Sequence, residues 1–274
     1  MTPNFAGSDS VRRASSILVP RRGEIHLWLA YYDVIADEQL HSAYRELLDA
    51  REREQESRFY FAKDRRRYLV TRALVRTVLS RYAPVDPRGW IFANNAYGRP
   101  EIANVAADDA TISFNISHTH SLIVLGITSG RALGVDVENI EARNVSIDLA
   151  DRYFAAAEAA ALQVVPQSQQ HYRFFEYWTF KESYIKARGM GLSLPLDKFS
   201  FHYPHERGVE FVVSPELEDV ATRWQFWQFR PTPEYLVALC AERLQSGASS
   251  VVVREIIPMV SEKVVAPNFL RISQ

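Results

Sequence analysis

The order of the predicted elements constrains the fold of this chain most, because strand, helices and strands follow one another roughly twice. In the first occurrence, polar and apolar residues alternate over 24–32 and predict a strand. Helical spacing of apolar residues follows over 37–53, and again over 64–82 until two prolines end it. Short β-type runs then continue to about residue 128.

The second occurrence begins after a seam near residues 129–133. A glycine-led strand at 130–140 precedes an alanine-rich helix over 148–163 and a second long helix over 169–188. Strands are predicted beyond these helices, at 209–214, 224–230, 235–241 and 250–256. The repeated order predicts an α+β fold of two similar halves. We expect a flexible tail at 1–23, an N-terminal half at 24–131, a C-terminal half at 132–248 and an extension at 249–274.

Composition narrows the class of protein. The 274 residues are 47% hydrophobic and 24% charged, with a net charge of -1, which is typical of a soluble globular chain. No apolar run approaches the roughly 20 residues that span a bilayer. The single Cys240 excludes an internal disulfide framework and a cysteine-rich metal site. It favours a reducing compartment, and we expect a cytoplasmic protein. The Ser- and Arg-rich tail lacks the apolar stretch of a secretory signal, although an organelle transit peptide is a minor alternative.

The motif GVDVE at 134–138 places two carboxylates on one face of a strand. Side chains alternate between faces, so Asp136 and Glu138 share a face while Val135 and Val137 share the other. Two carboxylates beside a glycine that lets another segment approach could bind a hard divalent cation. A half-exposed strand with a solvated acidic face is the alternative.

The segment WTFKESYIKARG at 178–189 mixes charges with large apolar side chains. Trp178, Glu182 and Lys186 are spaced four apart and share one helix face, with Lys181 adjacent to it. A surface Glu–Lys pair is one reading. However, the many aromatic residues leave little of this helix for water, which predicts a largely buried helix. Buried charges need partners, and a metal ion and a phosphate would supply them.

Three further motifs could contact phosphate or nucleic acid. In FNISHTH, Ser117 and His118 point to opposite faces, which argues against a Ser–His nucleophile pair and fits a phosphate contact better. The YGRPEI turn offers Arg99, a charge-assisted donor. Residues 58–81 carry eight basic residues against one acid. That stretch could bind nucleic acid, but stacking aromatics and a helix-turn-helix context are not evident, so we expect no nucleic-acid partner.

Taken in order, these motifs resemble the 4′-phosphopantetheinyl transferases, in particular their large two-half class of the surfactin-synthetase-activator type. The resemblance runs from about Arg58 to Phe201 and rests on RFYFAKDRRRYL, YGRPEI, FNISHTHS, GVDVE, RYFAAAE and WTFKESYIKARGMGLSLPLDKFSF. It implies two α/β halves about a pseudo-twofold axis with the active site at the seam. It also implies transfer of 4′-phosphopantetheine from coenzyme A to a serine of an apo carrier protein, with release of adenosine 3′,5′-bisphosphate.

The resemblance also implies roles for individual residues. Asp136, Glu138 and Glu182 match Mg²⁺ ligands, and Glu182 also matches a candidate base for the serine hydroxyl. Lys186 matches the lysine on the pyrophosphate. The matching contacts to coenzyme A are Ser117, His118 and the turn Gly98, Arg99 and Pro100, with Arg58 and Arg67 as further basic contacts. The acid Glu158 in RYFAAAE matches a position of less defined role.

One departure concerns the 3′-phosphate of coenzyme A. Some relatives bind it with basic residues where this chain has Glu52 and Gln55, so nearby arginines such as Arg58 or Arg67 would have to substitute.

A monomer is expected, because the two halves already build one site. The intact set Asp136, Glu138, Glu182 and Lys186 argues against a non-catalytic relative that only binds carrier proteins or coenzyme A. Another metal-dependent phosphotransferase on the same scaffold is a third possibility.

Overall fold

A computed structural model describes residues 17–104, 112–142, 145–245 and 249–274. Most of the predicted tail, residues 1–16, lies outside this described part. The N-terminal half contains β1 (Glu24–Tyr31), α1 (Glu38–Leu47), α2 (Ala50–Arg58), α3 (Ala62–Leu79), β2 (Phe92–Asn94), β3 (Pro100–Ile102), β4 (Ile112–His118) and β5 (Leu122–Ser129). The remaining elements are β6 (Leu133–Asn139), α4 (Leu149–Tyr153), α5 (Ala156–Gln163), α6 (Gln167–Arg188), β7 (Phe199–His202), β8 (Glu210–Val213), β9 (Trp224–Phe229), β10 (Tyr235–Glu242), β11 (Ser250–Ile257), β12 (Ser261–Val265) and β13 (Phe269–Ile272).

The two halves repeat one topology, which confirms the predicted α+β fold of two similar halves. Each half runs from a first strand through helices and a small hairpin to two more strands. In the N-terminal half the sheet order is β1, β5, β4, and in the C-terminal half it is β6, β10, β9. In both sheets the last of the three strands therefore lies in the middle, with antiparallel neighbours on each side.

The two sheets pack face to face, and the helices cover their outer faces. Alternate residues of β1, such as Leu27, join residues of β6 and β10, such as Val135 and Val237, in a central apolar core. The other face of β1 contributes Trp28 to a core with α1 and α3. The opposite face of β10 packs on α6, with Leu236 in a third core. Period-two alternation buries both faces of these strands.

The C-terminal strands add to both sheets in turn. β11 pairs in parallel with β1, and β12 pairs with β11, so both extend the N-terminal sheet. β13 then returns to the C-terminal sheet and pairs with β9. The resulting orders are β12-β11-β1-β5-β4 and β13-β9-β10-β6.

Two predicted helices are interrupted in the structure. The helix predicted over 37–53 ends at Leu48, whose ψ of 140° is extended, and Asp49 begins α2 with a reciprocal cap to Glu52. The alanine-rich helix predicted over 148–163 breaks at Ala155, whose backbone N–H donates to Glu158. In both places an acid three residues ahead accepts from the backbone, which the apolar spacing alone did not reveal. The long helices α3 and α6 and strands β1, β9, β10 and β11 confirm their predictions to within a few residues.

A ladder of side chains joins the edge of one sheet to the edge of the other. Asn115 accepts the backbone N–H of Val135 at 2.8 Å, and the Thr119 hydroxyl accepts that of Asn139 at 3.0 Å. Between them, the Ser117 hydroxyl donates to Asp136 at 3.0 Å. Because β4 and β6 belong to different sheets, these side chains take the place of backbone hydrogen bonds at the seam.

No helix in the described ranges is long and apolar enough to cross a membrane.

Candidate active site

Strand β6 turns its two acids toward α6. Asp136 and Glu138 are buried, and they lie on the face of β6 opposite the central core residues Val135 and Val137. Gly134 opens this face, because a Cβ there would lie 1.9 Å from the Ser183 carbonyl oxygen of α6. The glycine of GVDVE thus permits the close approach of the second motif.

We expect Gly134→Ala to destabilise the protein by about 3 kcal/mol or more, because the added methyl meets helix backbone rather than a movable side chain. Urea unfolding followed by circular dichroism measures this change. Gly89→Ala is the matched control, since its Cβ would make only an ordinary 3.5 Å contact with Val85. Equal stabilities of the two variants would contradict the close packing of β6 on α6.

Asp136, Lys186 and Ser117 form a compact polar cluster. The Lys186 ammonium donates to Asp136 Oδ1 at 2.6 Å and to Ser117 Oγ at 2.7 Å. Ser117 and Asp136 are buried, whereas the Lys186 side chain is 26% exposed. The lysine therefore reaches the surface of a cleft while its charge is held by the strand carboxylate.

The other two predicted carboxylates, Glu138 and Glu182, lie where β6 and α6 pack together. Trp178 Nε1 donates to Glu138 Oε1 at 3.2 Å, which places the start of this helix face beside the end of β6. Lys186 contacts Asp136, so Glu182, midway between Trp178 and Lys186 on that face, lies between the two strand acids along the helix. The contacts of Trp178 and Lys186 thus place the helix face that carries Glu182 against the strand face that carries Asp136 and Glu138.

One oxygen of Asp136 is suited to a cation. Within the described residues, Oδ2 of Asp136 is buried and has no hydrogen-bond partner. A buried carboxylate oxygen without a partner is costly, and a hard divalent ion is a ligand that would satisfy it. In the described ranges no three His, Cys, Asp or Glu side chains stand close enough together to hold a metal ion. The Mg²⁺ set Asp136, Glu138 and Glu182 stays a prediction.

A cleft of about 260 Å³ opens beside the cluster, between the β2–β3 hairpin, β4 and α6. Gly98 and Pro100 of the predicted turn line it, together with Glu182 and Lys186. The structure therefore brings the turn and the helix motif to one cavity, although they are more than 80 residues apart in sequence.

Arg99 of the same turn binds backbone carbonyls at the seam. One terminal nitrogen donates to the carbonyl of Lys186 at 2.7 Å, and the other donates to those of Phe114 and Leu133 at 3.2 Å. These carbonyls belong to α6, β4 and β6, so one side chain connects three elements of the site. The implied contact of this turn with a nucleotide stays a prediction, and the exposed edge of the turn is available for it.

The basic residues at the other side of β4 are less enclosed. His118 is exposed, and the pKa of its imidazole is lowered because surrounding protein removes part of its water and the Arg67 and Lys186 charges oppose protonation. Arg67 pairs with Asp64 at 3.2 Å. Arg58 is farther out, with its side chain 65% exposed and paired to Glu54.

Arg58 lines a second cleft of about 390 Å³, which shares Pro100 with the first. Its lining also includes Glu52, one of the two departures from basic relatives. Glu52 accepts hydrogen bonds from Arg72 and from the fully buried Arg76. Two arginines of the basic helix α3, Arg72 and Arg76, are therefore engaged in contacts within the protein.

Lys181, which the sequence left without a role, neutralises a buried acid. Its ammonium lies 2.7 Å from Glu158 Oε2, and both side chains have zero exposure. It also donates to the carbonyls of Leu196 and Phe199, while Glu158 Oε1 accepts the backbone N–H of Phe201. Burial raises the pKa of Glu158 and lowers that of Lys181, and their mutual attraction opposes both shifts. The pair links α6 to α5 and β7 behind the site.

Sequence reasoning gave no role to Asn115 or to the indole of Trp178. For the Arg99 guanidinium it predicted a phosphate partner, whereas the structure shows backbone carbonyls as its partners. A signal for the first was present: Asn115, Ser117 and Thr119 are polar at every second residue of an otherwise apolar strand. The contacts of Arg99 cross three elements and have no local signal.

Comparison with known proteins covers both halves. The family model described as the 4′-phosphopantetheinyl transferase superfamily matches residues 132–240, and the model of the N-terminal region of 4′-phosphopantetheinyl transferases matches residues 36–129. The 4′-phosphopantetheinyl transferase Sfp of Bacillus subtilis is 33% identical over 211 residues, which cover 77% of this chain and 89% of that protein. A second Bacillus subtilis 4′-phosphopantetheinyl transferase is 36% identical over 194 residues, covering 71% and 82%. HetI of a Nostoc species is 32% identical over 173 residues, covering 62% and 70%.

The two-half fold, the seam cluster and these similarities define a group-transfer enzyme. The chain belongs to the 4′-phosphopantetheinyl transferase family, and its clustered Asp136, Ser117 and Lys186 lie within the matched ranges.

Proposed function

We propose that this transferase moves the 4′-phosphopantetheine group of coenzyme A to a serine hydroxyl of apo acyl or peptidyl carrier proteins. The observation that carries the proposal is the cluster of Lys186, Asp136 and Ser117 at the wall of a cleft, beside an unpartnered carboxylate oxygen. A pyrophosphate needs positive charge and a cation in one place, and this cluster offers a lysine next to a cation-binding oxygen.

Asp136, Glu138 and Glu182 would hold Mg²⁺, which when bound neutralises pyrophosphate charge as the phosphorus–oxygen bond breaks. Lys186 binds a pyrophosphate oxygen and stabilises the charge that develops on the leaving group. Ser117 holds the lysine in place through its 2.7 Å contact. His118, whose lowered pKa favours the neutral ring, donates one hydrogen bond to a phosphate.

In the proposed transfer, one phosphorus–oxygen bond forms and one breaks. The serine oxygen of the carrier attacks the phosphorus that bears the pantetheine arm, and the bond to the bridging oxygen breaks. Glu182 takes the serine proton, and adenosine 3′,5′-bisphosphate leaves with the bridging oxygen. Pro100 of the turn lines both clefts, so the nucleotide end would extend past Pro100 toward Arg58. We propose that a cytoplasmic monomer carries out this reaction.

The test is transfer to a panel of apo carrier proteins from fatty-acid, polyketide and peptide synthases, with coenzyme A and Mg²⁺. We expect a mass gain of one phosphopantetheine group on at least one carrier, lost when the metal is chelated and restored when it is returned. No mass gain on any carrier would overturn the proposal. A gain that survives complete removal of divalent ions would overturn the metal role of Asp136.

A further inference from the structure

An exposed aromatic pair lies at the junction of α2 and α3. Tyr60 is 90% exposed and Phe61 is 58% exposed. Their ring centroids are 5.1 Å apart in an edge-to-face arrangement. A single exposed ring is common, but two adjacent large rings leave a continuous apolar surface in water.

Phe61 also occupies a position where an aromatic residue is unfavourable for the helix that follows it. Phe61 is the N-cap of α3, and no side chain caps this helix end. A serine, threonine, asparagine or aspartate there would stabilise the helix by about 1 kcal/mol. The chain therefore keeps an exposed aromatic ring where a small polar residue would serve the fold better, which points to binding.

Basic residues follow the two rings along α3, and one of them lies close to the Phe61 ring. Lys63 Nζ lies 5.9 Å from the centre of the Phe61 ring. Lys63 and Arg65 are exposed, and Arg66 is partly exposed. We call Tyr60, Phe61, Lys63, Arg65 and Arg66 the aromatic–basic patch. An exposed aromatic pair next to basic side chains is complementary to a protein surface with apolar residues beside acids.

The aromatic–basic patch lies at the rim of the candidate site. Tyr32 packs in one apolar core with Leu69 of α3, and Phe61 precedes Leu69 by eight positions, or about 12 Å along a helix. At the same place the Tyr32 hydroxyl donates to the carbonyl of Thr119 at 3.4 Å, which ties the region below α3 to the end of β4.

A protein partner that inserts one residue into the cleft must rest on its rim. Stable protein interfaces cover about 800 Å² per partner, so such a partner contacts surface well beyond the cleft itself. Because Tyr32 links α3 to the end of β4, a partner whose serine approaches Lys186 would meet Tyr60 and Phe61 on the α3 side of the cleft.

We propose that the aromatic–basic patch is a docking surface for the carrier protein, which contacts it with apolar residues surrounded by acidic ones. The inference rests on the proposed function, since that function supplies a protein substrate. The patch acts in partner binding and has no part in the chemical step.

The first experiment is the double variant Tyr60→Ser/Phe61→Ser, in which serine at the N-cap keeps α3 intact. We expect KM for the apo carrier to rise about tenfold, as for the loss of aromatic anchors from an interface. KM for coenzyme A and kcat should stay unchanged. Val164→Ser is the matched control, because Val164 is 84% exposed on the other half of the protein. An unchanged KM for the carrier in the double variant, with active wild type, would overturn the proposal.

The second experiment tests the charges and separates this proposal from the proposed function. Binding of apo carrier is measured by fluorescence anisotropy without coenzyme A, for wild type, the double variant, Lys63→Glu and the control Arg207→Glu. We expect weaker binding for the double variant and for Lys63→Glu, unchanged binding for Arg207→Glu, and a wild-type affinity that falls as salt is raised. If wild type binds the carrier and the double variant does not, but wild type transfers no phosphopantetheine in any assay, the docking surface is supported and the proposed function is refuted. No wild-type binding and no transfer would refute both.

A basic patch can also bind a lipid surface or a nucleic acid, and both are tested as alternative partners. Vesicles of phosphatidylglycerol and a single-stranded oligonucleotide are used as probes in the same assay. If the double variant loses binding to either probe but keeps its affinity for the carrier, the patch serves that other partner and the proposal is wrong.

Discussion

Asp136→Asn should lower the rate of phosphopantetheine transfer by about a hundredfold to a thousandfold, because it removes the charge that holds Lys186 and the oxygen suited to a cation. The amide keeps the shape of the side chain, so the fold should be retained. Transfer to an apo carrier is measured by mass spectrometry at saturating coenzyme A, and thermal unfolding is measured on the same samples.

Glu216→Gln is the control for this change. Glu216 is a carboxylate paired with Lys198 at 2.9 Å, and its side chain is 66% exposed away from the cleft. This variant should transfer at the wild-type rate. A transfer rate of Asp136→Asn within a few-fold of wild type would contradict the role of the seam cluster in the reaction.

Lys181→Met should destabilise the protein by about 3–5 kcal/mol, because it leaves the Glu158 carboxylate fully buried without its cation. The loss should deepen as the pH rises. Burial already raises the pKa of Glu158 above its usual value of 4.5, and removing Lys181 raises it further. An acid with a raised folded-state pKa keeps its contribution at low pH and loses it as the pH rises through that pKa. Urea unfolding at a series of pH values above 4.5 measures both effects.

The double variant Lys181→Met/Glu158→Gln is the control for this pair. An amide oxygen can still accept the backbone N–H of Phe201, so much of the lost stability should return and the pH dependence should disappear. If Lys181→Met kept full stability and lost only turnover, Lys181 would act in the reaction itself, which its complete burial argues against.

The sequence predicted the groups at the candidate site better than it predicted their supports. Local period-two alternation correctly placed Asp136 and Glu138 on one face of β6, and four-residue spacing placed Glu182 and Lys186 on one face of α6. Gly134 correctly indicated close approach of another segment. These are properties of a few consecutive residues, so a pattern can reveal them.

The difference between Lys181 and Lys186 could not be predicted in this way. Both lie on a helix that is apolar on nearly all sides, and burial of each depends on what packs there. Lys181 meets Glu158 of α5 and the carbonyl of Phe199, whereas Lys186 meets β4 and β6. Such pairings are set by contacts distant in sequence. The same holds for Arg99, whose partners lie on three separate elements.

The route of the chain after β10 has a consequence for fragments of this protein. The backbone passes from one sheet to the other between β5 and β6, between β10 and β11, and between β12 and β13. A cut after residue 245 would remove β11 from beside β1 and β13 from beside β9, exposing an unpaired strand edge on each half. Strands β11 and β13 thus hold the two halves together, because one pairs with each sheet. Neither half can be expressed alone by cutting at their internal boundary, and proteolysis near the C-terminus should lead to aggregation rather than release of a folded half.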